Sequence, residues 1–205
     1  MYIYWLGESS FKIKTNTASL IIDPADKKTG LSQSSIDADI VLISHTLKID
    51  LSRVKKQGDT KDTPFIINSP GEYEHKGIFI YAIPNKDAVL YLIKADSLDI
   101  AHLAGLTEHL NDKQLELFEG AHIALIPVGG EGLLDAKGAE AVISELEPQI
   151  VIPMNYDIPK LAILRKPIDA FLAEMGAKDV TPETSLSITK TKLPVDKIRV
   201  VLLQP

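Results

Sequence analysis

The chain has 205 residues, 45% hydrophobic and 24% charged, with a net charge of −6 at neutral pH and no cysteine. That length can bury a real core without staples, and the composition excludes extensive disorder, disulfide scaffolds, thiolate metal sites and a basic nucleic-acid footprint. Apolar runs such as 78–83 and 123–128 fall far short of the roughly 20 residues that span a bilayer, and the first residues carry no basic export signal. A cytoplasmic protein is expected, with neither nucleic acid nor membrane as partner.

In chain order, the first hundred residues read as strands. Residues 2–6 are aromatic and β-branched until Gly7 breaks them, and 11–14 alternate apolar and charged. Thr15-Asn16-Thr17 turns the chain into 19–23, which ends at Asp23-Pro24 because proline lacks a ladder donor. A polar loop leads to the continuous apolar run 40–43, which suits an interior strand. Further strands are expected at 65–67, 78–83, 88–94 and 98–102. Pro70-Gly71-Glu72-Tyr73-Glu74 reads as a turn that carries two carboxylates and a phenol.

After residue 110 helices and strands alternate. Asn111 is placed to cap a helix over 112–118, and Asp135 one over 136–146 with apolar residues at i, i+3, i+4 and i+7. Strands 123–126 and 150–152 are expected to close at Pro127 and Pro153. Pro167 sits where a first-turn proline belongs, ahead of a helix over 168–175 that stops at Gly176. Tail strands at 186–189 and 200–203 complete the count. Gly129-Gly130-Glu131-Gly132 joins a strand to a helix and reads as a flexible turn, since no Lys or Ser/Thr of a phosphate loop follows. No linker divides the chain, and one α/β domain over 1–205 is expected.

Seven segments carry a resemblance by their order and spacing. They are Trp5-Leu6-Gly7-Glu8-Ser9-Ser10-Phe11, Ile21-Ile22-Asp23-Pro24, Asp39 through His45, Pro70 through Glu74, Ile100-Ala101-His102-Leu103, Ile126 through Gly130, and Ile152 through Tyr156. Together they resemble the metallo-β-lactamase-fold hydrolases, in the branch with the ascorbate-phosphate lactonase. The resemblance implies a four-layer αββα sandwich with a metal site at one edge of its sheets. Such a site uses an H-x-H-x-D-H loop, a later His, a bridging Asp and a last His to lower the pKa of a metal-bound water.

Carried over residue by residue, that ligand set is mostly missing. The loop runs His45-Thr46-Leu47-Lys48-Ile49-Asp50, so His45 is kept, while Leu47, Ile49 and Asp50 stand at the other three ligand positions. His102 is kept, Gly105 stands for the bridging Asp, and Asn155 for the last His. Glu8 replaces a His that lies near the site in relatives. Two imidazoles are too few for a catalytic zinc, which takes three protein ligands. A third could come from Asp50, Glu8 or Asn155, and a Ser44-His45-Asp50 triad is formally available. His75, His109 and His122 lie outside the pattern.

The resemblance therefore implies a degenerate member of the family, without a cofactor, acting as a binding or interaction protein. Its partner would be a second copy or an intact paralogue. The alternative is a hydrolase of a small ester, lactone or phosphate-bearing substrate, with one zinc ion on His45 and His102.

Overall fold

The computed structural model describes residues 1–31, 35–45, 49–56, 58 and 63–205. Two sheets face each other across one large apolar core that includes Ile3, Trp5, Phe11, Leu42, Tyr91, Ile100 and Ile152. The first comprises β1 (Tyr2–Gly7), β2 (Ser10–Lys14), β3 (Ser19–Ile22), β5 (Ile40–Leu42), β7 (Phe65–Ile67) and β14 (Leu186–Ser187), in the order β14-β1-β2-β3-β5-β7. The second comprises β8 (Gly71–His75), β9 (Ile78–Asn85), β10 (Ala88–Ala95), β11 (Leu98–His102), β12 (Ile123–Pro127), β13 (Ile150–Met154) and β15 (Arg199–Val200), in the order β15-β13-β12-β11-β10-β9-β8.

Helices α1 (Asp112–Phe118) and α2 (Ala136–Leu146) are the crossovers that keep β11, β12 and β13 parallel, and α3 (Asp169–Glu174) packs against α2. Asn111 and Gln114 close a reciprocal capping box on α1. Asp135 caps α2 through the Gly138 N–H at 3.0 Å, and Ala139, Val142, Ile143 and Leu146 form its buried stripe. The outer face of the first sheet carries a thinner layer. There β4 (Ile36–Asp37) pairs with β6 (Val54–Lys55), and Ile36, Ala38 and Val54 pack on Ile21 and Val41. Among the described residues no α-helix lies on that side. No described helix is long and apolar enough to cross a membrane.

Several local expectations need correction. Residues 71–75 form an edge strand, not a turn, because Lys76 (φ 52°) and Gly77 (φ 76°) make a two-residue hairpin that pairs them with β9. Glu72 and Glu74 are exposed on that strand. Pro127 is the last residue of β12, and β13 runs one residue past Pro153 to Met154. The Val151 carbonyl accepts from Val201, so Pro153, two residues on, faces the side where β15 has already stopped pairing and no donor is needed. Pro167 precedes the cap of α3, Ile168, and is not its first residue.

Asp39 ties the two sheets together. Its buried carboxylate accepts from the Ser19 N–H at 2.9 Å and is paired with the Lys76 ammonium. Burial pushes this carboxyl up, but Lys76 and Ser19 outweigh it and hold it below its ordinary value. A carboxylate depressed in the folded state adds stability above the unfolded pKa, which is lost as pH falls through the folded one. Lys76→Met should therefore move the midpoint of acid unfolding to higher pH. At pH 7 it should cost roughly 1.5–3 kcal/mol, the worth of a hydrogen bond to a charged group. Urea unfolding between pH 2 and 7 checks both.

Candidate functional site

The parallel strands β11, β12 and β13 end side by side, and the crevice outside such carboxyl ends is where open α/β sheets bind ligands. His102 is the last residue of β11, Gly129 follows β12, and Asn155 follows β13. From the facing sheet, the β1–β2 turn brings in Glu8 and Ser9, the end of β3 brings Asp23, and the chain after β5 brings His45. Glu8, Asp23 and Asn155 have positive φ of 51°, 45° and 55°. Left-handed backbone outside glycine is uncommon, and three instances around one cavity mark a specialised site.

That cavity measures about 370 Å³, within the range of small-molecule sites. Its walls include His45, Ile49, Gly105 and Asn155, so four of the carried-over ligand positions share one cavity. Leu47 lies outside the described residues. Asp50 is directed elsewhere. Its carboxylate caps the single turn Leu51–Arg53 through the Ser52 N–H at 2.9 Å and pairs with Arg53 at 3.6 Å. That geometry supports neither Asp50 as a third ligand nor a Ser44-His45-Asp50 triad.

Ser9 stands between the two retained imidazoles. Its Oγ lies 3.3 Å from His45 Nε2, and its carbonyl accepts from His102 Nε2 at 2.9 Å. A carbonyl only accepts, so His102 carries its proton on Nε2. Burial holds the His102 pKa below its ordinary value, against the raising effect of nearby Asp23, and so keeps the ring neutral. The Nδ1 atoms of both rings are buried without a hydrogen-bond partner among the described residues. Asp23 lies 3.7 Å from His45 Nε2 and accepts from both the backbone and the hydroxyl of Ser44, which assigns Ser44 to that carboxylate.

The other side of the cavity is built on an ion pair that is nearly buried. Arg165 Nη2 donates to Glu8 Oε2 at 2.9 Å and Nε to Oε1 at 3.3 Å, a bidentate fork, while Nη1 donates to the Glu131 carbonyl at 3.3 Å. Asn155 Nδ2 donates to Glu8 Oε2 at 3.2 Å, which fixes the amide orientation, and Asn155 Oδ1 is left buried without a partner among the described residues. Gly105, which stands where the family pattern has the bridging Asp, has little room for a side chain. Its φ is +74°, and a Cβ there would lie 2.7 Å from the Ala88 methyl.

The donor set does not fit a two-metal centre. Both imidazole Nε2 atoms are engaged by Ser9, Ile49 and Gly105 offer no donor, and Asn155 is tied to the Glu8–Arg165 pair. Among the described residues no three His, Asp or Glu side chains are grouped to hold a metal ion. Sequence reading missed Ser9, Asp23 and Arg165 as site residues. Ser9 and Asp23 sit in segments that carry the resemblance, whereas Arg165 lies in the tail beyond it and bears no motif.

The sequence profile of the beta-lactamase superfamily domain matches residues 2–155, and this chain belongs to that superfamily. It is 25% identical over 195 residues to a metal-dependent hydrolase of Methanopyrus kandleri, covering 76% of this chain and 84% of that one. A metal-dependent hydrolase of Thermococcus kodakarensis is likewise 25% identical over 190 residues, with the same coverage. Among solved structures, a zinc-dependent hydrolase of the metallo-β-lactamase superfamily from Thermotoga maritima superimposes with a TM-score of 0.82 at 23% identity, over 99% of this chain and 98% of that one. A metallo hydrolase of Ignicoccus hospitalis gives 0.57 at 19% identity, over 79% and 85%. The fold is the metallo-β-lactamase sandwich.

Proposed function

We propose that this chain is a degenerate member of its superfamily that binds a small ligand in a metal-free cleft and is not a conventional zinc hydrolase. The observation that carries the reading is Ser9, which engages both retained imidazoles at their Nε2 atoms. With the Nε2 atoms occupied, no lone pairs converge from three protein ligands, and a hydroxide-generating zinc needs that convergence. The cleft persists nonetheless. Ala25, Ile49, Leu133 and Ile163 give it apolar walls, and Arg165 keeps one N–H on each terminal nitrogen beyond its bonds to Glu8 and Glu131. Those N–H groups suit an acceptor oxygen of a ligand.

A second reading rests on the Nδ1 atoms of His45 and His102, which have no hydrogen-bond partner among the described residues and are free to ligate a metal ion. The named function of the archaeal relatives, metal-dependent hydrolysis, favours it too. Zinc titration by calorimetry on metal-stripped protein separates the two. The metal-free reading expects binding far weaker than the roughly 10–16 kcal/mol of a built structural site. Tight, stoichiometric zinc that His45→Ala abolishes would establish the second reading instead.

A further inference from the structure

We propose that the Arg165 guanidinium is a built-in cation that takes the place of the superfamily's second metal ion. The inference rests on the metal-free reading above and deepens it. The resemblance implies two metal positions, with His45 and His102 both at the first and Ile49, Asp50, Gly105 and Asn155 standing at the second. Three of the four line one cavity with Arg165, and the fourth, Asp50, caps a turn. Ile49 and Gly105 no longer present any donor. Asn155 remains polar, and its Nδ2 bonds to the same Glu8 oxygen that accepts from Arg165 Nη2.

Charge argues for the same assignment. Glu8 and Asp23 bring two carboxylates to the cavity, Asp23 with a side chain 1% exposed and Glu8 with one 10% exposed. Buried carboxylates need a cation or several strong donors. Asp23 takes its donors from Ser44, which leaves Glu8 to the guanidinium in a two-bond fork. That need is met by an arginine carried on the segment after β13. Arginine suits the replacement because its charge is permanent and its planar fork matches a carboxylate. The substitution keeps a positive centre and forfeits the capacity to acidify a bound water, so the cleft can hold an oxygen without generating hydroxide.

If Arg165 fills a metal position, removing it while restoring the last His should reopen that position. The variant is Arg165→Ala with Asn155→His, which leaves Glu8 and the new imidazole facing a vacated space. The probe is zinc alone, titrated by calorimetry and followed in parallel by thermal unfolding. The double variant should bind zinc at least 10-fold more tightly than the parent, with a zinc-dependent rise in Tm, and a further Glu8→Gln should abolish both. Asn155→His alone, with Arg165 in place, should gain nothing. Should the double variant fold only when refolded with zinc, that metal dependence is the same positive result. A double variant that binds no more zinc than the parent, or that folds neither with nor without zinc, overturns the inference. Tight zinc in the parent with Arg165 intact would instead overturn the metal-free reading, so the two failures are distinct.

Discussion

Arg165→Met should cost about 3–5 kcal/mol of stability, the penalty for stranding one member of a buried ion pair. Glu8 and Arg165 are 157 residues apart in sequence, and their side chains are 10% and 13% exposed. Among the described residues, removing the guanidinium leaves the Glu8 carboxylate with a single side-chain donor, Asn155 Nδ2 at 3.2 Å. For a chain of this length the loss corresponds to a fall in Tm of roughly 6–20 °C. Glu8→Gln with Arg165→Met removes both charges and should recover most of the loss, because replacing a buried pair outright is often close to neutral. A double-mutant cycle by urea unfolding measures the coupling directly. A single variant that costs less than about 1 kcal/mol would mean that the pair behaves as a solvated surface bridge.

Gly129→Ala should be as damaging, for a steric reason. A Cβ at Gly129 would lie 1.9 Å from the Asn155 carbonyl oxygen, and the same glycine's carbonyl accepts from Lys166 N at 2.9 Å. Backbone stands on both sides, so neither neighbour can rotate away. A loss above about 4 kcal/mol or a failure to fold is expected, in the tail of single-substitution effects. Gly132→Ala is the control. Gly132 has φ +88° but no described residue within 4 Å of its Cβ position, so only the left-handed strain of about 1–2 kcal/mol applies. Chemical denaturation of both variants separates close approach from backbone strain. Equal losses would show that the contact with Asn155 yields easily.

These residues also show what the sequence could and could not disclose. The strands around the core were legible because apolar runs such as 40–43 and 123–126 are short, continuous and bounded by turn residues. The caps Asn111 and Asp135 were legible for the same local reason. The edge strand 71–75 was hidden behind Pro70-Gly71, while the signal that makes it a strand, Lys76-Gly77, lies after it. At the site, the carried-over positions were legible and the contacts made around them were not. His45, Gly105 and Asn155 line one cavity. Ser9 between the imidazoles and Arg165 on Glu8 are contacts across 93 and 157 residues, which no local spacing announces. Gly105 looked like a simple deletion of a carboxylate, and only the Ala88 methyl shows that the room for one has closed as well.

The most direct test of a cleft closed to metal by its own side chains is a crystal structure grown with excess zinc, with anomalous data collected at the zinc absorption edge. No anomalous peak is expected between His45 and His102 or beside Asn155, with Ser9 still between the imidazoles and Arg165 still forked on Glu8. A strong peak coordinated by His45 and His102, with Ser9 displaced or Arg165 swung out of the cavity, would contradict it.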